Sequence, residues 1–263
     1  MIMTTYVDEL VQNISKREGE SAINWRGQDQ SCADLLGSAK AWMAKFDDLG
    51  IEAGTVCGVS GDYSPQVCGL FLALMQANAV LVPLTASSAA QLQAPLELAG
   101  ATKLLRFDND DQWTIENVSP SPANDLMTGF LELQHPGLVV VTSGSTGKPK
   151  GILHDCEMVL RKFSQQRQGY RTLLFLLMDH FGGFNTLMSV LSYGGTAVIA
   201  AKRTPEEVCR TIQDALVELL PVTPTFINLL LASRCYQDFD LSSVRLITYG
   251  TEVMPESTLE RIG

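Results

Sequence analysis

The stretch from Thr142 to Gly151 contains the residue types that hold a polyphosphate. It has the sequence T-S-G-S-T-G-K-P-K-G and continues a dense β-branched run that begins at Leu138. Glycines allow backbone N–H groups to turn toward an anion. Ser and Thr hydroxyl groups donate hydrogen bonds to phosphate oxygens, and lysines supply the compensating charge. Because the stretch follows a predicted buried strand, it indicates a phosphate-binding loop more than a flexible surface turn.

The stretch does not match the loop of P-loop kinases, which has the pattern G-x-x-x-x-G-K-[ST]. Gly144 and Gly147 are too close together for that pattern, and Pro149 stands where it requires Ser or Thr. Pro149 also lacks the N–H group that could contact a phosphate. A P-loop kinase is therefore disfavoured.

Strand and helix patterns alternate along the chain, which predicts largely parallel sheets covered by helices. Strands are predicted at residues 22–25, 55–60, 79–83, 102–107, 138–142, 171–178, 196–200 and 244–249. Helices are predicted at residues 6–17, 31–50, 64–77, 88–99, 155–168 and 183–193, after the cap at Thr204, and from Pro255 onward. The acidic, Pro-ending segment 108–122 is expected to be an exposed connection with one edge strand near 113–118.

Composition excludes several classes of protein. The chain has 263 residues, of which 46% are hydrophobic and 18% charged, as in one large globular domain or two interlocked ones. Its formal charge of −10 makes nucleic acid and an anionic membrane poor partners, and no apolar run is long enough to span a bilayer. The six cysteines lack metal spacing, so we expect reduced thiols that mostly fill the core of a cytoplasmic protein.

The string at residues 142–151 resembles the phosphate-binding signature of the adenylate-forming superfamily, which comprises acyl- and aryl-CoA synthetases, peptide-synthetase adenylation domains and luciferases. Other parts of the chain resemble further segments of this family, namely residues 25–27, 61–64, 82–84, 180–183 and 241–255. The resemblance implies an α/β fold with a layered αβαβα arrangement of two largely parallel sheets. It also implies that residues 1–263 form an incomplete large N-terminal AMP-binding domain.

Within that domain, the resemblance implies a first sheet subdomain at about residues 50–170, which includes the phosphate loop. A second sheet subdomain is expected from about residues 1–50 plus 171–263. The small C-terminal domain with its catalytic lysine is absent from this sequence, so we expect a truncated or split enzyme.

The resemblance also assigns site residues. Cofactor-binding residues are expected in the phosphate loop, at Thr142, Ser143, Gly144, Ser145, Thr146, Gly147, Lys148 and Lys150, and in a later loop, at Gly250, Thr251 and Glu252. The later loop is placed beside the nucleotide or acyl pocket, with a plain turn before a helix as the alternative, and no residue is assigned to a metal.

His180 is expected to contact the acyl carboxylate as the catalytic residue, with a structural histidine as the alternative. It precedes Gly182 and Gly183, where a ligand could approach closely. Asp179 is expected to cap the next turn, or else to contact a substrate amine. His135 and His154 are predicted to be structural.

The implied activity is ATP- and Mg²⁺-dependent activation of a carboxylic acid as an acyl-adenylate. The acyl group would then pass to CoA or to the phosphopantetheine thiol of an acyl carrier protein. A separate C-terminal portion is a further expected partner. The alternative function is a non-catalytic nucleotide- or acyl-binding module or a scaffold subunit.

Overall fold

Two six-stranded sheets organise the chain in the computed structural model, which describes residues 4–85, 89–119, 121, 125–143, 149–250 and 252–262. Sheet A has the order β12-β11-β9-β10-β1-β2, with strands β1 (Ser21–Trp25), β2 (Gln28–Ser31), β9 (Arg171–Leu173), β10 (Thr196–Ile199), β11 (Leu219–Val222) and β12 (Leu246–Tyr249). Sheet B has the order β6-β5-β3-β4-β7-β8, with strands β3 (Val56–Ser60), β4 (Val80–Leu84), β5 (Lys103–Phe107), β6 (Trp113–Asn117), β7 (Gly137–Ser143) and β8 (Pro149–Asp155).

Helices cover both faces of each sheet. The described helices are α1 (Tyr6–Ser15), α2 (Cys32–Met43), α3 (Phe46–Leu49), α4 (Pro65–Gln76), α5 (Ala89–Ala99), α6 (Asp125–Leu131), α7 (Cys156–Arg161), α8 (Phe181–Tyr193), α9 (Pro205–Ala215), α10 (Pro224–Ser233) and α11 (Glu256–Ile262), with a 3₁₀ turn at Cys235–Asp238. None of them combines the length and apolarity needed to cross a bilayer.

Most strands are parallel to their neighbours, and the antiparallel strands lie at sheet edges. In sheet B, β3 and β4 are parallel, whereas the edge strands β6 and β8 are antiparallel to β5 and β7. In sheet A, β1 is parallel to β10 and antiparallel to the edge strand β2. This arrangement confirms the predicted α/β class.

The hydrophobic core confirms the five-layer arrangement. The central cluster joins Ile23 of sheet A and Leu81 of sheet B through buried residues of α2, α4 and α8. A second cluster packs α5 on the outer face of sheet B, and a third packs α9 and α10 on the outer face of sheet A. The predicted division into two sheet subdomains stays a prediction, because the central core continues from one sheet to the other.

Several predicted elements have other bounds in the structure. The helix predicted at residues 31–50 is two helices, α2 and α3, which Ser31 and Gly50 cap at the outer ends. The strand predicted at residues 171–178 ends at Leu173, and the helix predicted at residues 155–168 ends at Arg161. Strand β11 was not predicted, since Pro221 in its middle lacks the N–H group that a strand normally donates.

All six cysteines are free thiols, and five of them are buried. The expectation that the cysteines mostly fill the core is confirmed, and their reduced state stays a prediction.

Candidate active site

The glycine-rich string connects the two strands of the β7–β8 hairpin. Thr142 pairs with Lys150 in the antiparallel register, and Ser143 pairs with Pro149. The Thr142 hydroxyl donates to the Lys150 carbonyl oxygen at 3.4 Å, and Lys150 is exposed. The connecting residues Gly144, Ser145, Thr146, Gly147 and Lys148 lie outside the described residues. The hairpin therefore fixes both ends of the predicted phosphate loop.

The first turn of α8 lies against sheet B, the sheet that carries this hairpin. The Thr85 hydroxyl, directly after β4, donates a hydrogen bond to Asp179 Oδ2. The His154 ring, on β8, stacks on the Phe181 ring with centroids 4.5 Å apart. Because β4 and β7 are parallel neighbours, Thr85 and the hairpin turn both lie at the carboxyl ends of these strands. The start of α8 and the glycine-rich string are thus brought to one region.

His180 is the N-cap residue directly before α8, and its side chain makes no capping hydrogen bond. The imidazole is 62% exposed, with Nε2 3.9 Å from Asp179 Oδ1. This exposure leaves the ring accessible to a ligand. Asp179 does not fill the capping role expected of it, because its carboxylate accepts the Thr85 hydroxyl instead.

Gly183 is required by packing of the chain on itself. A Cβ atom at this position would lie 2.0 Å from the Leu177 carbonyl oxygen and 2.7 Å from the Tyr63 hydroxyl. Burial raises the pKa of Tyr63 well above its ordinary value, so its hydroxyl stays protonated. The predicted close approach of a ligand therefore does not explain Gly183. At Gly182 the nearest atom to such a Cβ is Leu176 Cδ1 at 3.0 Å.

A cavity of about 400 Å³ lies between α8 and the strands β9, β11 and β12. Its helical wall is formed in part by Asn185, Ser189 and Tyr193, which are spaced four residues apart on one face of α8. Pro221 and Thr248, paired across β11 and β12, contribute to the opposite wall. Of the residues of α8 that line the cavity, Asn185 lies nearest to His180 in sequence.

A larger cavity, of about 760 Å³, lies at the carboxyl ends of β3 and β5. Its arginines are engaged by acidic residues: Arg26 pairs with Asp110 at 3.2 Å, and Arg106 pairs with Glu116 at 2.8 Å. These pairs tie structural elements together and leave less charge for a ligand. Thr85, the hydrogen-bond partner of Asp179, also lines this larger cavity, so it too adjoins the start of α8.

The later loop approaches the start of α10. Gly250 directly follows β12, and Thr251 lies outside the described residues. The Glu252 carboxylate accepts hydrogen bonds from the Thr225 backbone N–H at 3.1 Å and from the Thr225 hydroxyl at 2.6 Å. Glu252 thus binds the positive end of a helix, and a direct contact between Glu252 and nucleotide stays a prediction.

Sequence patterns missed Lys162, which lies beside α8. Its ammonium group donates to Asn185 Oδ1 and lies 4.9 Å from the ring centroids of both Phe163 and Phe181. Burial lowers the pKa of Lys162. Burial, and then the Lys162 charge, lower the pKa of His154. Lys162 and Asn185 are 23 residues apart, so no local motif indicates their contact.

His135 and His154 both make structural contacts. His135 Nδ1 lies 2.9 Å from Asp155 Oδ2, and His154 stacks on Phe181. Among the described residues, no group of three or more His, Cys, Asp or Glu side chains is placed to hold a metal ion.

Comparisons with known proteins agree on one family. A family model described as AMP-binding enzyme matches residues 10–263. The indoleacetate–CoA ligase of Aromatoleum aromaticum is 25% identical over 283 residues, which cover 93% of this chain and 54% of that protein. The 2-succinylbenzoate–CoA ligase of Bacillus licheniformis is 29% identical over 154 residues, which cover 56% of this chain and 31% of that protein. The chain therefore spans about half the length of the first relative.

Solved structures confirm the fold. The N-terminal domain of FACL13 from Mycobacterium tuberculosis, in its inhibitor-bound crystal structure, superposes with a TM-score of 0.79 at 20% sequence identity. The match covers 98% of this chain and 72% of that one. The layered arrangement of two sheets is thus shared with the N-terminal domain of that protein.

Proposed function

We propose a function for this chain from the premise that it belongs to the AMP-binding enzyme family. In the proposed reaction, a substrate carboxylate attacks the α-phosphate of ATP, which forms an acyl-adenylate and releases pyrophosphate. The thiol of CoA or of carrier-protein phosphopantetheine then attacks the acyl carbonyl, which forms a thioester and releases AMP. Both relatives described above are named CoA ligases, which supports ligation of an acid to a thiol.

One observation carries this proposal: the first turn of α8 lies against the sheet whose hairpin holds the glycine-rich string. The Thr85–Asp179 hydrogen bond and the stacking of His154 on Phe181 support this placement. This placement supports a phosphate group at the hairpin and a carboxylate at His180 as two parts of one proposed adenylate site. Such a reaction needs mostly positioning and charge stabilisation from the protein.

Different residues of the chain are assigned to the phosphates, to the acid carboxylate and to the nucleotide. We assign the β- and γ-phosphates to the loop between Thr142 and Lys150, with Ser143, Ser145 and Thr146 as further donors. Lys150 is exposed at the end of β8 that adjoins the loop, where its charge can offset that of the phosphates. His180 contacts the acid carboxylate. We place the nucleotide beside the loop from Gly250 to Glu252, whose contact with Thr225 keeps that loop next to α10.

Mg²⁺ accompanies ATP in this proposal and has no assigned protein ligand. This choice follows from the described residues, among which no cluster of metal-binding side chains is found. The ion would offset phosphate charge. We also propose that the reaction takes place in the cytoplasm, where six free thiols stay reduced.

We place the acid in the cavity beside α8. The cavity has about 400 Å³, near the lower end of the roughly 300–1,000 Å³ typical of small-molecule sites. It runs along α8 from Asn185 onward, and His180 is the N-cap residue of that helix, so we propose that the acid directs its carboxylate to His180 and its remainder along α8. This volume favours a compact acid.

ATP–pyrophosphate exchange with a panel of carboxylic acids tests the proposal, measured on the full-length protein that supplies the expected C-terminal domain. We expect exchange that depends on an added acid. Lys150→Ala should reduce exchange about tenfold or more, because hydrogen bonds and ion pairs to charged groups are worth about 1.5–3 kcal/mol. Lys40→Ala, at an exposed lysine in the last turn of α2, is the matched control and should leave exchange unchanged.

Calorimetric titration with ATP and with a non-hydrolysable acyl-adenylate mimic separates the two candidate functions. Binding together with acid-dependent exchange supports the ligase. Tight binding without exchange for any acid contradicts catalysis and favours the non-catalytic binding module. An unchanged exchange rate in Lys150→Ala would contradict the role given to that lysine.

A further inference from the structure

The cavity beside α8 has an uneven charge distribution. Within the described part of the chain, Arg167 is the only charged residue that lines it, and neither Asp nor Glu is among the lining residues. Asp179, the nearest carboxylate to His180, is hydrogen-bonded to Thr85 and is not part of the lining. Asp179 Oδ1 is buried without a hydrogen-bond partner and lies 3.9 Å from His180 Nε2, so an ammonium group lacks a counter-ion only where it lies in the cavity itself, and there its desolvation costs binding free energy.

Asn185 faces this cavity with a fixed orientation. Its Oδ1 atom accepts a hydrogen bond from the Lys162 ammonium group. A lysine ammonium group has three donors and no acceptor, so the amide oxygen must face Lys162. The amide nitrogen of Asn185, with its two N–H donors, is then the atom available to the cavity. Asn185 thus offers a ligand donors and not an acceptor.

Lys162 is itself held in place beside α8. Its ammonium group lies 4.9 Å from the ring centroids of Phe163 and Phe181, at distances typical of cation–π contacts. No carboxylate among the described residues forms an ion pair with it. Its positive charge therefore acts on Asn185 without being neutralised by an acidic neighbour.

We propose that this cavity selects compact carboxylic acids that carry a hydrogen-bond acceptor on the side facing α8 and no ammonium group. Asn185 is the specificity-determining donor, and Lys162 is the positioning residue that orients it. Asn185 lies five residues beyond His180, or about 7.5 Å along the helix at 1.5 Å per residue. Asn185 is also turned about 140° around the helix from His180, at about 100° per residue, so the acceptor must lie at the opposite end of the acid from the carboxylate, whose place at His180 rests on the proposed function.

Matched acids that differ in one group test the proposal by calorimetric titration of the chain. The aromatic set is 4-acetylbenzoate, its apolar isostere 4-isopropylbenzoate, and 4-(aminomethyl)benzoate. The aliphatic set is 5-oxohexanoate, 5-methylhexanoate and 6-aminohexanoate. In at least one set, the acceptor acid should bind about twofold to tenfold more tightly than its apolar isostere, the range expected for one hydrogen bond. The ammonium acid should bind most weakly.

Three variants separate the proposed roles from a merely structural one. Asn185→Asp presents an acceptor in place of donors, and it should reverse the order so that the ammonium acid binds best. Lys162→Met frees the amide to turn, and it should remove most of the preference for the acceptor acid. Lys162→Arg should restore that preference, because a guanidinium group also only donates. Lys40→Met, in α2, should keep the wild-type order.

The outcomes distinguish this inference from the proposed function. Equal affinities of wild-type protein for the acceptor acid and its isostere in both sets would overturn the inference, as would an unchanged preference in both Asn185→Asp and Lys162→Met. Absence of binding by every acid would overturn it too, even if ATP binds. Discrimination among acids without any ATP or adenylate binding would support the inference and contradict the proposed function.

Discussion

The helices α4 and α8 belong to the same central layer, but side chains cap the N-terminus of α4 and not that of α8. Ser64 caps α4 by accepting a hydrogen bond from the Val67 N–H at 3.1 Å, and Asp111 accepts the Gln66 N–H at 3.0 Å. The start of α8 has no side-chain cap, and His180 there is 62% exposed. One helix start is satisfied within the chain, whereas the other is open to a ligand.

The side chains along the two helices also differ, because α4 is more completely buried than α8. Ten of the twelve residues of α4 are buried, as expected for a helix that is apolar all round. Helix α8 buries Phe184 and Leu187 in the core but presents Asn185 and Ser189 to a cavity. The difference shows that α4 serves stability, while α8 divides its surface between the core and a candidate binding site.

The largest expected effect is on the core that both helices share. Phe71, on α4, is fully buried and packs near Phe184 of α8 with ring centroids 6.3 Å apart. Phe71→Ala should lower the free energy of unfolding by about 3–5 kcal/mol, because it leaves a cavity. Phe181→Ala, at the half-buried start of α8, should cost clearly less. Urea unfolding of both variants measures this, and equal losses would contradict the contrast between the helices.

The two glycines at the start of α8 should differ in their tolerance of a methyl group. Gly183→Ala should cost about 1–3 kcal/mol of unfolding free energy, as overpacking does, because the new Cβ meets the Leu177 carbonyl oxygen. Gly182→Ala meets only the end of the flexible Leu176 side chain and is its matched control. Thermal unfolding compares the two variants. A Gly183→Ala variant as stable as Gly182→Ala would show that the backbone here moves aside.

A third prediction separates binding from stability at the two helix starts. His180→Ala should lower acid-dependent pyrophosphate exchange about tenfold, through loss of a hydrogen bond to a charged group. Its unfolding free energy should stay within about 0.5 kcal/mol of wild type, as for an exposed side chain. Ser64→Ala should instead cost about 1 kcal/mol of stability without altering affinity for an adenylate mimic. Exchange that is unaffected by His180→Ala would argue against its contact with the acid.

The smallest expected effect is a pH dependence at the start of α8. Burial, and then the Lys162 charge, lower the pKa of His154. The folded chain thus keeps this ring neutral at pH values where the unfolded chain protonates it, so stability should fall as pH decreases from about 6.5 toward the folded-state pKa. His154→Phe retains an aromatic ring beside Phe181 and should remove this slope. Urea unfolding at pH 7.5 and 5.5 measures this, and we expect the unfolding free energy of wild type to change by less than about 0.5 kcal/mol more than that of His154→Phe. The same pH dependence of stability in both proteins would contradict the prediction.

Elements with strong local signals could be predicted from the sequence. The caps at Ser31, Ser64 and Thr204 all begin helices where their residue types indicate. Strand β11 could not be predicted, since Pro221 makes its pattern atypical, and its pairing with β12 on one side and β9 on the other holds it in the sheet. Asp179 escaped local reasoning for a similar reason, because its partner Thr85 lies 94 residues earlier in the chain.

The amino-acid sequence by itself determined the α/β class, the order of most elements and the position of a glycine-rich turn after a buried strand. These follow from hydrophobic periodicity and from residues such as Gly and Pro, whose preferences are local. The tertiary structure alone decided that α8 begins beside that hairpin, that Gly183 is required by Leu177, and that Lys162 orients Asn185 toward a cavity. Those contacts join residues of distant or different elements, and only close packing of the layers brings them together.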